Sequence, residues 1–299
     1  MDVSSTSATW DPLFGERSEA FRIFDHLWEA PQDQVGWPGL RLLNRGLELA
    51  GGCQSGSGAP IRFVEQAPKS KRFEDVYDVK IFERGEVNTR SNWHDFFNAL
   101  TWGSFPRSKV ALNARHYEAM GAYRECWSEQ RRRSDEEHLM CLMNENAVLL
   151  PCASAEVADL VRGFQWKELF WERRQTLPGS LGVFVLGHAL CEKFLTPYVG
   201  MTGHGILMPV AASFFGLPLR EQLRQVDERF AQLLRTPGGL QTPQDLCPFP
   251  ILGYPGLSPW SEDPAFFENQ WYFRPGRRSA GQPVMAKQRV HRGSPTPEA

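Results

Sequence analysis

The sequence predicts a helix-dominated α+β fold, with one short β-hairpin and an irregular segment rich in proline and aromatic residues near the C-terminus. Three observations lead to this class. Several segments repeat apolar residues every three or four positions, as amphipathic helices do. Few segments alternate apolar and polar residues, as half-buried strands do. No repeat and no linker divides the chain, so residues 11–275 are predicted to form a single globular domain.

The composition of the chain excludes several functional classes. Of 299 residues, 41% are hydrophobic and 23% charged, which is typical of a globular protein with a real core. A formal net charge of −2 gives no general attraction to nucleic acid or to an anionic membrane. No run approaches the roughly 18 apolar residues that indicate a membrane-spanning helix.

Cysteine usage and the N-terminus indicate the compartment. The six cysteines lie far apart and form no CxxC pair, which is typical of reduced thiols and argues against disulfides or a zinc finger. The first residues have no basic start followed by an apolar run, so no signal peptide is predicted. We therefore expect a cytoplasmic protein without membrane contact.

The first part of the chain predicts two helices and one strand. Residues 18–30 place apolar side chains at helical spacing until Pro31 interrupts them. A second helix is predicted after Pro38. Residues 61–65 form a short strand candidate, whereas residues 69–87 fit neither period clearly.

Two consecutive helices are predicted in the centre of the chain. Asn92 can cap a helix over residues 93–103, and Asp95, three residues later, can return the bond in a capping box. Residues 106–121 form the second helix, whose first residue is a proline, as helix starts often have. The short connection favours an antiparallel helix pair.

The region after this helix pair combines strand and helix signals. Residues 138–152 are interpreted as the β-hairpin, with Asn-Glu-Asn at 144–146 as its turn. Residues 154–174 and 217–234 are predicted to be helical. Residues 181–195 fit a strand or a helix, and the glycines that follow are expected to break it.

The C-terminal part divides into two segments. Residues 237–275 are rich in proline, glycine and aromatic residues and are predicted to form an ordered wrap without regular structure. Residues 276–299 lose their hydrophobic residues and become basic, which predicts a disordered tail.

Polar residues at helical spacing point to a possible site on the central helix pair. His94 and Asn98 lie four positions apart, and Lys109, Asn113 and His116 follow one face of the next helix. These residues stand among large aromatic side chains, and a buried polar group without a partner costs about 1–3 kcal/mol. They are therefore expected either to brace one another or to hold a ligand.

A later pair extends this hypothesis to metal binding. His188 and Glu192 are also four positions apart, a spacing that lets both side chains reach one ion. The predicted metal ligands, for zinc or another divalent metal, are His94, His116, His188 and Glu192. The predicted catalytic residues are His94, Asp95, His116 and Glu192. The predicted substrate-binding residues are Asn98, Lys109, Asn113 and Arg115.

Structural roles remain an alternative for each of these residues. His188 and Glu192 can form an ordinary pair on a helix surface. Asp95 can serve as a helix cap. The asparagines of the helix pair can bond backbone carbonyls, and its lysine and arginine can face solvent.

The motifs resemble a bacterial family of unknown function, domain family 3025. They are WHDFFNALTWGSFPRSKVALNARH, FQWKELFWERR, GHALCEKFL, FPILGYPGL and WYFRP. The resemblance spans about residue 20 to Pro275 and implies that the polar residues of the central helices belong together with the Gly187–Lys193 segment. The chain departs from the family pattern at 144–147, where Asn-Glu-Asn-Ala replaces an Asp-Glu turn followed by glycine. The resemblance implies no activity.

Three functional hypotheses follow from the sequence. The first is a cytoplasmic, metal-assisted hydrolase acting on a phosphorylated or amide substrate. The second is a non-catalytic binding protein whose polar cluster is structural and which contacts protein through the wrap or the basic tail. The third is RNA contact through residues 166–174 and the tail, which the near-neutral charge disfavours.

Overall fold

A computed structural model describes residues 9–28, 36–68, 70–128 and 130–276. Helices dominate and two small sheets accompany them, which confirms the helix-dominated α+β class. The predicted tail lies outside the described residues apart from Gly276, and the proposed domain limits stay a prediction. Across the described ranges, none of the helices combines the length and the apolar character needed to cross a membrane.

The helices and strands follow one another in the order α1 Leu40–Leu49, β1 Arg62–Glu65, α2 Tyr77–Arg84, β2 Glu86–Thr89, α3 Trp93–Ser104, α4 Pro106–Gly121, α5 Asp135–Asn146, β3 Ala147–Cys152, α6 Ala155–Arg162, β4 Phe184–Val185, α7 His188–Lys193, β5 Gly203–Pro209, α8 Leu219–Arg235 and β6 Cys247–Phe249. Strands β1 and β2 pair in parallel. The second sheet has the order β4-β3-β5-β6, and only its central β3–β5 pair is parallel.

The central sheet lies in the core of the molecule. All six residues of β3 are buried, as expected for a strand that is covered on both faces. Helix α4 packs against α5 and α8, while α3 packs against α7. Asp227 of α8 accepts bonds from the backbone N–H groups of Arg107 and Ser108, so it caps the first turn of α4 from a neighbouring helix.

Helix α3 is held in the core by aromatic side chains. Every one of its residues except His94 is buried. The Phe97 ring stacks on Phe21 at 5.2 Å and on Trp93 at 5.8 Å between centroids. The side chain of Asn92 accepts a bond from the N–H of Asp95, as predicted for the helix start. His94 is thus the one residue of this helix whose side chain solvent can reach in part.

Most predicted helices are confirmed, including α1, α3, α4 and α8, and so is the strand at residues 61–65. The hairpin predicted at 138–152 is wrong, because α5 occupies its first half and runs directly into β3. Helix α7 ends at Lys193, before the glycines that were predicted to break this segment, and β5, which the sequence did not predict, begins among them at Gly203. The N-terminal helix predicted at 18–30 is a short 3₁₀ helix, Glu19–Phe24, and residues 29 and 30 lie outside the described residues.

The helix predicted at 154–174 is interrupted. Helix α6 ends at Arg162, and Phe164 adopts a left-handed conformation with φ of +56°. A single π-helical turn, Glu168–Glu172, follows this bend. The segment 181–195 contains both of the predicted alternatives, β4 and then α7. The wrap at 237–275 is largely irregular as predicted, apart from short 3₁₀ turns and β6.

Candidate metal centre

Two histidines from distant parts of the chain meet where the partly exposed His94 covers the buried His188. His94 lies in the first turn of α3, and His188 is the first residue of α7. Their Nε2 atoms are 3.1 Å apart, and the rings meet edge to face with centroids 4.5 Å apart. The structure therefore brings together two of the residues that the sequence proposed as metal ligands.

Glu145 is the third member of this group. Its carboxylate lies 3.4 Å from Nε2 of His188 and 3.9 Å from Nε2 of His94. One ligand atom from each of the three residues lies within 4.8 Å of the other two. Sequence reasoning missed Glu145, because it was assigned to a hairpin turn. We name this set of three residues, His94, Glu145 and His188, the triad.

A close backbone approach makes the triad possible. Gly187 precedes His188, and a Cβ atom at Gly187 would lie 2.5 Å from the backbone N of Asn146. Real Cβ atoms do not come that close, so a side chain here would push α7 away from the end of α5. Glycine at position 187 therefore brings His188 within reach of Glu145.

The protonation states of His188 and Glu145 suit metal binding. Burial lowers the pKa of His188 to about 4, so its imidazole is neutral at physiological pH. Burial alone would raise the pKa of Glu145, but the bond to His188 and the nearby positive charges outweigh it, and the pKa of Glu145 lies below its usual value. A neutral imidazole and an ionised carboxylate are the forms that bind metals.

Glu192 supports the triad from one side. Its carboxylate lies 3.4 Å from Nδ1 of His94, the ring nitrogen that faces away from His188. The hydrogen bond to Glu192 is the main cause that raises the pKa of His94. A carboxylate on the second nitrogen of a histidine is the usual support of a metal ligand, because it orients the ring and makes it more basic. Glu192 is thus placed to orient His94.

His188 has no such support among the described residues. Its Nδ1 atom is buried and has no hydrogen-bond partner there. With a metal on Nε2, this nitrogen would carry the proton, and an unpaired buried donor costs about 1–3 kcal/mol. His188 is consequently the less stabilised of the two histidines.

His116 belongs to a different pair. Its Nδ1 lies 3.2 Å from the carboxylate of Asp78 on α2, and the structure does not bring it into the triad. Burial disfavours the charged forms of His116 and Asp78, but the opposite charge of each residue favours the ionised form of the other. The pKa of His116 therefore lies above its usual value, and the pKa of Asp78 lies below.

This pair predicts a pH-dependent contribution to stability. Because the pKa of His116 is raised on folding, its stabilising charge is fully present below the unfolded value of about 6.5 and is lost as pH rises through the folded value. As pH rises above about 6.5, the free energy of unfolding of the metal-free protein should therefore fall more steeply than that of the His116→Gln variant. Chemical unfolding at several pH values measures this difference, with the exposed His138 changed to Gln as the control. Identical slopes for His116→Gln and the wild type would contradict the prediction.

Lys109 and Asn98, predicted to bind substrate, lie in the interior. Nζ of Lys109 donates to Oδ1 of Asn98 at 2.8 Å and to Oδ1 of Asn144 at 2.6 Å. The side chain of Asn98 in turn donates to the hydroxyl of Tyr77 at 2.7 Å. Burial lowers the pKa of Lys109 to about 8. Because Lys109 is only 3% exposed, a substrate cannot reach it without displacing these partners.

The other predicted site residues also have structural partners. The Asp95 carboxylate accepts two hydrogen bonds from the guanidinium of Arg90, at 2.8 and 3.1 Å, and a third from the backbone N–H of Arg90 at 2.7 Å. The capping box predicted at Asn92 is therefore only half formed, because the Asp95 side chain turns to Arg90. Asn113 donates to the backbone carbonyl of Asp78 at 3.0 Å. Arg115 pairs with Glu136 and donates to the carbonyl of Leu240.

The segment proposed for RNA contact is electrostatically neutralised. Arg173 pairs with Glu156 and Glu168, and Arg174 pairs with Glu262. Phosphate contacts need positive charges that are free to release counterions. These ion pairs therefore disfavour RNA binding through residues 166–174.

Comparison with known proteins gives a family but no activity. No curated protein and no solved structure matches the chain at a significant level. The profile of the family described as "Protein of unknown function (DUF3025)" matches residues 61–277, which include the triad and Glu192. Since this match covers well over half of the 299 residues, the chain belongs to that family.

Proposed function

We propose that this protein is a metal-dependent hydrolase whose divalent ion, zinc in the first place, is bound by the triad. The observation that carries the proposal is the convergence of His94, Glu145 and His188 on one point, although they lie far apart in the sequence. Two imidazoles and one carboxylate are the donor set of several catalytic zinc enzymes. Three protein ligands leave one coordination position of a tetrahedral ion for water.

The distances within the triad fit such an ion. Zinc holds nitrogen and oxygen ligands at about 2.0–2.2 Å, so two ligands of a tetrahedral site lie about 3.4 Å apart. The two Nε2 atoms of the triad are 3.1 Å apart, and the two carboxylate oxygens of Glu145 lie 3.4 Å from Nε2 of His188 and 3.9 Å from Nε2 of His94. One ligand atom from each residue lies within 4.8 Å of the other two, so side-chain rotations that bring a single Glu145 oxygen closer to both histidines would complete a site for one zinc ion.

Exposure of two of the three triad residues supports a catalytic rather than a purely structural ion. The side chains of His94 and Glu145 are 36% and 37% exposed, so a substrate can approach from solvent. A bound divalent ion would supply an activated water at neutral pH and polarise a carbonyl or phosphoryl oxygen. Glu192 lies at Nδ1 of His94, on the side away from the other two triad residues, so it would orient this ligand rather than take part in the reaction. Phosphate esters and amides are the substrate classes that this chemistry serves.

Metal titration followed by activity measurement tests the proposal. The protein is stripped with a chelator and titrated with zinc and with cobalt(II), which reports its coordination by visible absorption. We expect one ion per chain and hydrolysis of a chromogenic phosphate ester or anilide that depends on the ion. Binding without hydrolysis of either substrate class would reject the catalytic part, and no binding at micromolar zinc would reject the metal centre.

A non-catalytic binding protein is the second candidate, and one observation favours it. A groove of about 900 Å³ opens in the C-terminal wrap. Trp166, Pro248, Pro250 and Tyr272 line it, and the exposed indole of Trp271 stands at its edge. Aromatic and proline-lined grooves of this size suit ligand or peptide binding. This candidate would be supported if the wild type bound no metal but bound a peptide or small molecule in the groove, and if Trp271→Ala weakened that binding.

We also infer a cytoplasmic location from the cysteines. All six are free thiols, and only Cys152 and Cys191 are buried. Cysteines stay unpaired in reducing compartments such as the cytoplasm, whereas disulfides form in oxidising ones. Growth of the producing cells followed by fractionation tests the location directly.

A further inference from the structure

We propose that Lys109 is a positioning residue of the metal centre, which holds two ligand-bearing helices at the separation that the ion requires. This inference rests on the proposed function and assigns to Lys109 a role different from substrate binding. Lys109 lies on α4, whereas His94 lies on α3 and Glu145 on α5. One ammonium group thus connects three helices.

The hydrogen bonds of Lys109 reach the immediate neighbours of two triad residues. Asn98 lies one helical turn after His94, on the same face of α3. Asn144 precedes Glu145 in the last turn of α5. Because Nζ of Lys109 bonds the side-chain oxygens of both asparagines, at 2.8 and 2.6 Å, it ties the helix that carries His94 to the helix that carries Glu145.

A hydrogen bond to Tyr77 fixes the orientation of the Asn98 amide group. The amide nitrogen of Asn98 donates to the Tyr77 hydroxyl at 2.7 Å, so its oxygen is turned towards Lys109. The ammonium also lies 5.4 Å from the centre of the Trp102 ring, within the range of a cation–π contact. Lys109 therefore has a single well-determined position rather than several alternative ones.

Burial makes this link strong. Lys109 is 3% exposed and Asn98 is 5% exposed, so solvent does not compete for their hydrogen bonds. Removing the ammonium would leave two amide oxygens without a donor, and the side chains would relax towards other partners. The start of α3, which carries His94, and the end of α5, which carries Glu145, would then no longer be held at a fixed separation.

The test compares Lys109→Met with Lys80→Met. Lys80 on α2 is another buried lysine, 6% exposed, and its charge acts on Asp75 in the turn just before α2 and not on a triad residue, so it is a matched control. We expect the zinc affinity of folded Lys109→Met to fall by about 10–100-fold, the usual effect of losing a residue that supports a metal ligand. The visible spectrum of its cobalt(II) form should change, and Lys80→Met should retain both affinity and spectrum. A lower melting temperature of Lys109→Met with zinc affinity within twofold of the wild type would overturn the proposal.

A measurement without metal separates this proposal from the proposed function. In the metal-free protein, nitrogen-15 NMR of the histidine rings reports the contact between Nε2 of His94 and Nε2 of His188. We expect the ring signals of Lys109→Met to shift towards those of free imidazole, and those of Lys80→Met to stay in place. Unchanged ring signals in Lys109→Met would overturn the positioning role, whether or not the wild type binds zinc. A wild type that binds no zinc while Lys109→Met shifts its ring signals would reject only the metal centre.

Discussion

Replacing His188 with alanine is expected to lower zinc affinity by more than about 100-fold, the upper end of the loss seen when only a supporting residue is removed. His188 supplies one of three ligand atoms, and the described residues around it offer no substitute, since Glu192 faces the far side of His94. Isothermal titration of the metal-free variant measures the affinity. Hydrolytic activity, where the wild type has it, should be lost in parallel.

A matched histidine provides the control for this experiment. His138 lies on α5, the helix that also carries Glu145, but it is exposed and outside the triad. His138→Ala should therefore bind zinc as the wild type does. Equal zinc affinity of His188→Ala and His138→Ala would mean that the ion, if bound at all, is held elsewhere.

Replacing Phe97 with alanine is expected to lower the free energy of unfolding by about 3–5 kcal/mol, the range for removing a large aromatic side chain from a core. Phe97 has no exposed surface and lies between Phe21, Trp93 and Phe14. Its loss leaves a cavity that these rings fill only in part, because each is held by further aromatic contacts. Chemical unfolding followed by circular dichroism measures the change.

An exposed aromatic residue is the control for this prediction. Trp271 is 85% exposed, so Trp271→Ala should change the free energy of unfolding by less than about 0.5 kcal/mol. A loss below about 1 kcal/mol for Phe97→Ala would show that α3 does not depend on its aromatic contacts. The metal centre would then need another explanation for its position, because α3 carries His94.

The sequence predicted the central helices well because their signals are local. A capping asparagine at Asn92, apolar residues at helical spacing and a proline at the start of α4 each act within a few residues. The structure adds that Asp95 turns to Arg90 instead of completing the capping box. Which partner a side chain selects depends on groups brought in by tertiary packing.

The wrong hairpin had a signal that was overlooked. Ser134 and Glu137 form a capping box at the start of α5, so the pattern Ser-x-x-Glu marked a helix that leads up to β3. The apolar run 147–152 correctly predicts a strand, but the residues before it form a helix and not the first strand of a hairpin. With Glu145 placed in a turn, the helical spacing from which the metal ligands were predicted did not include it.

The candidate site could be predicted only in part. Spacing along a helix tells which side chains share a face, so His94 and His188 were identified as candidates. It does not tell which helices pack together, and for this reason His116 was grouped with them although it pairs with Asp78. The strand β5 was missed for a similar reason, since its pairing with β3 outweighs the glycines at its start.

The direct passage from α5 into β3 has a consequence for how the molecule can change. Asn146 ends the helix and Ala147 begins the strand, so no loop separates Glu145 from the central sheet. A single residue inserted at this joint would either rotate Glu145 away from the two histidines or turn the side chains of β3 to the opposite faces of the sheet, because no loop is present to accommodate it. Homologous chains should therefore tolerate length variation in their surface loops but keep a constant count of residues across this joint.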